Sequence, residues 1–259
     1  ARVLRLGARL AHCLQRIDPA RGSALLLHLL DQVPPQRGAA ERPTVFWRLA
    51  QCLRQAGQPQ QAAAAIEHGL GCQALDQHPE LRAVLNAEKA LLLAASDGHQ
   101  GAIFLLTEAL DILGRTAVPA GGDLAQRYDL IGELYCHLAR AHYGTHRVDR
   151  AQRAIDRARE VARYGKQIQG DVRALLCAAE TSDDADLISV CLSKAVATAD
   201  ALADPMLQAE ASLACGRDLL GRDRRAAQAI LAKALRTATL SGRRDLAEAA
   251  RLASEVKPS

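Results

Sequence analysis

Apolar residues recur along the chain at helical spacing, in stripes separated by short breaks. The clearest unit places them on both sides of a turn at Gly57, at Phe46, Leu49, Ala50, Leu53, Ala62, Ile66 and Gly69. Because an α-helix repeats about every 3.6 residues, this spacing puts one apolar stripe on each of two helices. The unit predicts a helical hairpin.

The hairpin pattern returns further along the chain, around Tyr135 to Ala158 and Ala211 to Ala234, with weaker copies over 90–109 and 175–195. Successive second helices carry a small residue at one shared position, namely Gly69, Ala109, Ala158, Ala195 and Ala234. The spacing between these residues gives repeats of 37 to 49 residues. We therefore predict an all-α chain of about six antiparallel helix pairs, with a possible capping helix near 245–256.

Helix-breaking residues separate the predicted helices, as short helix–helix turns require. The longest break lies at 114–122. It is either a domain boundary or a loop inserted within one solenoid, and the immediate return of helix-pair spacing favours the loop. Residues 1–259 are thus predicted to form a single domain, and the helical pattern at the very start suggests a fragment of a longer chain.

The small and large residues of these hairpins fall where the tetratricopeptide repeat (TPR) has them, so the chain resembles that family over most of its length. The resemblance implies a right-handed superhelical solenoid. The standard unit has about 34 residues, and the longer units here resemble the sensor domains of large bacterial transcriptional regulators. The second likeness concerns the fold only, since no particular residue carries it.

Composition indicates the class of protein and its cellular compartment. Hydrophobic residues make up 49% of the chain, enough for a core, and no apolar run approaches the length that crosses a bilayer. The seven cysteines are scattered and include no C-x-x-C pair, which is typical of reduced thiols in the cytoplasm. We expect a cytoplasmic protein with no membrane partner and no cofactor.

Two clusters raise the question of a metal site. His137, His142 and His146 lie near one another, but Gly144 argues against a continuous helix and no second ligand pair is visible. The aspartates at 183, 184 and 186 lack the alternation and glycine of a calcium loop. Capping of a helix that starts near Ala185 explains these aspartates more simply, and no metal is predicted.

Catalysis and nucleic-acid binding find little support. The chain has neither a nucleophile elbow nor a glycine-rich phosphate loop, so we predict that it is not an enzyme. Arg150, Arg153 and Arg157 form a basic stripe, but acidic residues are interleaved with it, as on an ordinary solvated helix face. Nucleic acid is therefore not favoured as a partner.

The TPR resemblance implies a binding site, because the first helix of each pair in that family lines a concave groove. The matching positions here are Arg9, Arg16, Trp47, Gln51, Arg54, Gln55, Arg140, Tyr143, Arg173 and Glu180. This set is polar and leans basic. The alternative for Trp47 and Tyr143 is a place in the core, since an alignment slip of one position exchanges groove and core.

These observations lead to two functional hypotheses. The first is a non-catalytic interaction scaffold whose groove binds a peptide or partner protein, and the second is an effector-sensing domain of a transcriptional regulator. For the scaffold we expect an acidic partner, because the groove arginines face few acids and residues 1–60 carry a net charge of +6. An adjacent ATPase or helix-turn-helix domain would favour the regulator.

Overall fold

The computed structural model describes residues 2–15, 17–116 and 123–255, and every helix in this part of the chain belongs to one of two compact units. The units comprise Ala1–Ala120 and Gly121–Ser259. The division falls within the long break at 114–122. The prediction of a single domain over 1–259 stays a prediction, and each unit is described by itself.

Unit 1 contains six α-helices and one 3₁₀ helix among its described residues. The α-helices are α1 (Arg2–Leu14), α2 (Pro19–Gln32), α3 (Arg42–Gln55), α4 (Pro59–Leu70), α5 (Pro79–Ala94) and α6 (His99–Arg115), and the 3₁₀ helix is Gln73–Gln77.

Unit 2 contains seven α-helices within residues 123–255. They are α7 (Leu124–Gly144), α8 (Val148–Tyr164), α9 (Ile168–Glu180), α10 (Ala185–Leu202), α11 (Pro205–Leu219), α12 (Arg224–Leu240) and α13 (Arg244–Glu255).

Consecutive helices pack as pairs, and the first helix of each pair also packs against the first helix of the next. In unit 1 this first-helix layer runs α1, α3, α5, and in unit 2 it runs α7, α9, α11, α13. No strand occurs among the described residues. The prediction of an all-α fold with six pairs and a final helix is confirmed.

Local chemistry explains where many helices begin. Proline opens α2, α4, α5 and α11, since its fixed φ suits a first turn whose N–H needs no partner. Asp18 and Asp204 precede two of these prolines and accept hydrogen bonds from backbone N–H groups of the first turn. Gly57, between α3 and α4, has φ +74°, a conformation that glycine adopts without steric cost.

Small residues set how closely the helices approach. Ala109, Ala158, Ala195 and Ala234 are at most 1% exposed, each in the second helix of its pair, as predicted. At Gly69 a Cβ atom would lie 3.0 Å from Leu85 and 3.2 Å from Phe46. Larger side chains at these positions would push neighbouring helices apart.

No described helix is both long and apolar enough to cross a membrane.

The packing predicts a cost for enlarging a small residue in α4. Ala62 is fully buried, so Ala62→Leu should overpack the core and destabilise unit 1 by about 1–3 kcal/mol. Ala63 is exposed on the same helix, and Ala63→Leu should change stability by no more than about 0.5 kcal/mol. Urea denaturation measures both, and equal midpoints for the two variants would contradict this packing.

The same expectation applies to Ala151 in α8, which is 1% exposed. Ala151→Leu should lower the midpoint of thermal unfolding, again because the added carbons have no space. An unchanged midpoint would place Ala151 on the surface.

Candidate functional site

The first-helix layer of each unit holds the residues predicted for binding, and we call these surfaces the first-helix faces. The face of unit 1 comprises α1, α3 and α5, and that of unit 2 comprises α7, α9, α11 and α13. Each predicted residue in the described part of the chain lies on one of these helices.

The face of unit 1 is built around Trp47 and Arg48. Trp47 is half-buried and packs against the hydrophobic core of its unit, so its ring is partly a core element. The Arg48 guanidinium lies 3.8 Å from the centre of that ring. Its Nη1 donates a hydrogen bond of 2.8 Å to Gln51 Oε1. The stack fixes the orientation of a cation on this face.

Arg48 differs from its neighbour Arg54 in having no ion pair with a described residue. Burial lowers the pKa of Arg48 to about 10, although the charge of Glu88 acts in the opposite direction. The guanidinium has therefore lost water without gaining a bound carboxylate. The sequence did not indicate Arg48 as a binding residue, because the groove positions implied by the TPR resemblance include 47 and 51 but not 48.

Glu88 of α5 joins the polar residues of α3. Its side chain is only 7% exposed, and it accepts hydrogen bonds from Gln51 Nε2 at 2.8 Å and from Arg54 Nε at 2.9 Å. A buried carboxylate requires such partners, because desolvation otherwise raises its free energy. The structure thus brings Gln51 and Arg54 together through a residue that no sequence pattern had indicated.

The face of unit 2 carries similar links between α7 and the chain at and after α9. Arg140 Nε lies 2.7 Å from Glu180 Oε2, and the Tyr143 hydroxyl donates a 2.5 Å hydrogen bond to Asp183. This bond raises the pKa of Tyr143, because it holds the phenolic proton beside a carboxylate. The predicted residues Arg140 and Glu180 therefore bind each other.

Arg173 of α9 pairs with two acids of α7. Its Nη1 lies 2.7 Å from Asp129 and 3.1 Å from Glu133. Further along, Arg243 lies 3.2 Å from Glu210 of α11. Ion pairs thus link α7 to α9, and link α11 to the residue that precedes α13.

The expectation that the groove arginines face few acids is wrong. Arg54, Arg140 and Arg173 each hold a carboxylate of the same unit, 34 to 44 residues away in sequence. The expectation counted acids on the same helix faces, and Glu180 is the only acid among the predicted groove positions. The acids come instead from the neighbouring first helix, which stacking places alongside.

The remaining predicted residues do not join these networks. Arg9 in α1 and Gln55 at the end of α3 are exposed, and neither makes a side-chain hydrogen bond or ion pair with a described residue. Arg16 lies outside the described residues. The assignment of all these side chains to a binding groove stays a prediction.

The histidine cluster is divided by the end of α7. The helix stops at Gly144, as the sequence indicated, and His146 follows it with φ +56°. His142 is buried, and its Nδ1 has no hydrogen-bond partner in the described part of the chain. Across residues 2–15, 17–116 and 123–255 no three potential ligands are placed to hold a metal.

The aspartate cluster and the basic stripe both have structural roles. Asp184 caps α10, where its Oδ1 accepts from the N–H groups of Asp186 and Leu187, so the predicted capping role is confirmed. In the basic stripe of α8, Arg157 binds Glu160 at 2.6 Å. Both observations agree with the simpler interpretation of these charges.

Solved structures with tetratricopeptide-repeat folds resemble the chain. A STAND ATPase from Pyrococcus horikoshii with a TPR sensor superposes with a TM-score of 0.51 and 15% identity, and the match covers 93% of this chain and 36% of that one. The chain thus spans about a third of the Pyrococcus protein.

Two further neighbours match over most of both chains. A TPR-like repeat protein from Podosopora anserina, described as a kinesin light chain, gives a TM-score of 0.53 at 17% identity over 80% of this chain and 99% of its own. BtubC (BKLC) from P. vanneervenii gives 0.54 at 16% identity, over 95% and 93%. At such identities the likeness establishes a TPR-like fold alone.

No protein-family model matches the chain, and no curated protein matches it in sequence.

The role of Glu88 can be tested by removing its carboxylate. Glu88→Ala leaves Arg54 and Gln51 without their partner and should destabilise unit 1 by about 1–3 kcal/mol. Glu67→Ala removes the acid of an exposed pair with Lys89 and should cost less than about 1 kcal/mol. Urea denaturation compares them, and a larger loss for the Glu67 variant would refute the assigned role.

His142 provides a second test. Burial, with the positive charges of Arg150, Arg147 and Arg153, lowers the pKa of His142, so we expect a neutral imidazole at pH 7. Arg150→Glu should raise this pKa, because a nearby negative charge favours the imidazolium. NMR titration of the ring measures it, with Arg157→Glu as the control. A fall in the pKa after Arg150→Glu would contradict the electrostatic origin.

Proposed function

We propose that the chain is a non-catalytic scaffold that binds a carboxylate-bearing peptide segment of a partner protein on its first-helix faces. The proposal rests on the TPR-like fold, whose first helices form an extended binding surface, and on the arginines that these helices carry. A cytoplasmic location accompanies the proposal, in keeping with seven free thiols.

The observation that carries the proposal is the state of Arg48. The Arg48 guanidinium is partly desolvated, lies against Trp47 and has no ion pair with a described residue. Such a cation is positioned to bind an anionic group. A ligand carboxylate would supply the missing negative charge, and the planar fork of arginine suits its two oxygens. Trp47 would offer apolar contact to the neighbouring part of the same peptide.

The intramolecular acids support the same chemistry. Glu88 and Glu180 bind Arg54 and Arg140 in the geometry that these faces provide, so carboxylates fit there. An acidic ligand would compete with them, most easily at Glu180, whose side chain is 54% exposed. The affinity for an acidic peptide would therefore depend on how readily an internal acid is displaced.

A second candidate is an effector-sensing domain, binding a small molecule or peptide, in a bacterial transcriptional regulator. Its support is the likeness to the Pyrococcus protein, which is described as a STAND ATPase with a TPR sensor. The complete reading frame that contains the chain separates the two candidates. An ATPase or helix-turn-helix segment there would favour the sensor.

The proposal is tested with labelled peptides of equal length that carry acidic, basic or uncharged side chains around the same apolar residues. Fluorescence anisotropy should show selective binding of the acidic set, weakening as salt rises, since exposed charges are screened beyond about 8 Å at physiological ionic strength. Arg48→Leu and Arg54→Glu on the face of unit 1, and Arg140→Glu on the face of unit 2, should each weaken peptide binding to the face that carries the change by roughly tenfold, or about 1.4 kcal/mol.

Two further variants sharpen the test. Glu180→Gln releases Arg140 from its internal partner and should strengthen binding, an outcome that general loss of structure cannot produce. Arg157→Glu, in the second helix α8, should have little effect. If it weakens binding more than the first-helix changes do, or if basic peptides bind as well as acidic ones, the proposal fails.

A further inference from the structure

Two cysteines meet where α7 and α9 stack in unit 2. Cys136 is 5% exposed and Cys177 is fully buried. The Cys177 Sγ atom lies 3.3 Å from the backbone oxygen of Cys136, and the two thiols are close enough for each to shift the pKa of the other. The two side chains therefore form a buried dithiol that joins neighbouring first helices.

Unit 1 repeats this arrangement with one thiol instead of two. Cys52 of α3 lies 3.8 Å from the backbone oxygen of Ala11 in α1, and the sequence separation is 41 residues in both units. The stacking of first helices thus places a cysteine against the backbone of the preceding helix. Cys136 stands where unit 1 has Ala11, and this difference creates the pair.

The surroundings give the two sulfurs unequal reactivity. The Cys136 thiol and the nearby positive charge of Arg140 lower the pKa of Cys177, whereas burial and Glu180 oppose the change. The Cys177 side chain and burial raise the pKa of Cys136. Because the thiolate is the reactive form, Cys177 is the expected nucleophile and Cys136 the resolving thiol.

We propose that Cys136 and Cys177 are a modification site that a hydroperoxide converts reversibly into a disulfide between α7 and α9. The Cys177 thiolate attacks one peroxide oxygen, so an S–O bond forms, the O–O bond breaks, and water or an alcohol leaves after taking a proton. Cys136 then attacks the Cys177 sulfur, the S–S bond forms, and the hydroxyl leaves as water with the Cys136 proton. The two thiols lose two electrons in total, and the peroxide gains them.

The disulfide would act on the first-helix face directly. Arg140 lies one helical turn beyond Cys136, and Glu180 lies about one turn beyond Cys177. Oxidation replaces the two thiols near Arg140 with a disulfide and fixes the spacing of the two helices that carry this ion pair. Since both sulfurs are buried, peroxide reaches them only during local opening, and the reaction should be slower than that of an exposed thiol.

The experiment uses the full chain with Cys13→Ser and Cys72→Ser, because these two cysteines are the more accessible of the seven. The folded protein is treated with limiting hydrogen peroxide, then unfolded and alkylated. Intact mass should show loss of two of the five remaining alkylatable thiols, and peptide mapping should find Cys136 linked to Cys177. Dithiothreitol should restore all five.

Matched variants show whether the linkage depends on this pair and on the folded state. Cys136→Ala copies the arrangement of unit 1 and, with its helical circular dichroism unchanged, should form no disulfide. Cys191→Ala removes a buried cysteine elsewhere and should leave the linkage intact. In protein unfolded by urea, the preference for this pair should disappear. The proposal is overturned if the folded protein retains all five thiols under peroxide, or if the linkage joins another pair.

Discussion

The close approach of helices through small side chains is the constraint on which the rest of this structure depends. A single helix pair leaves an apolar face in water, and only the next pair covers it. Gly69, with Leu85 and Phe46 only 3.0 to 3.2 Å from the place of a Cβ atom, shows how little space remains between helices. Fully buried alanines at 109 and 195 serve the same purpose in other pairs.

Because the helices stack so closely, polar residues far apart in the chain meet along the first helices. Glu88 reaches Arg54, and Glu180 reaches Arg140, at distances below 3.0 Å. For Glu88, whose side chain is 7% exposed, the contact satisfies a charge that would otherwise be costly to bury. Under the proposed function, binding and stability would be interdependent, since a ligand carboxylate would replace an internal one or meet a cation that has no ion pair with a described residue, as at Arg48.

The same stacking governs the buried thiols. A cysteine on the contact side of a first helix lies against the first helix of the preceding pair, as Cys52 of α3 does against α1 in unit 1. When that helix also carries a cysteine, as at Cys136, two sulfurs come together without any local sequence signature. The cysteines are 41 residues apart, so no spacing motif marks them as a pair.

The sequence alone determined the helices and their ends, because these follow from local physics. Apolar periodicity, prolines at helix starts and the capping Asp184 act within a few residues, and the small residue of each second helix was recognisable from its repetition. Only the tertiary structure decided the partners of Arg54, Arg140 and Cys177. It also decided the partial burial of Arg48 against the ring of Trp47. Ion pairs and desolvation depend on atoms supplied by another helix, and a one-dimensional pattern does not record which side chains stacking brings within hydrogen-bonding distance.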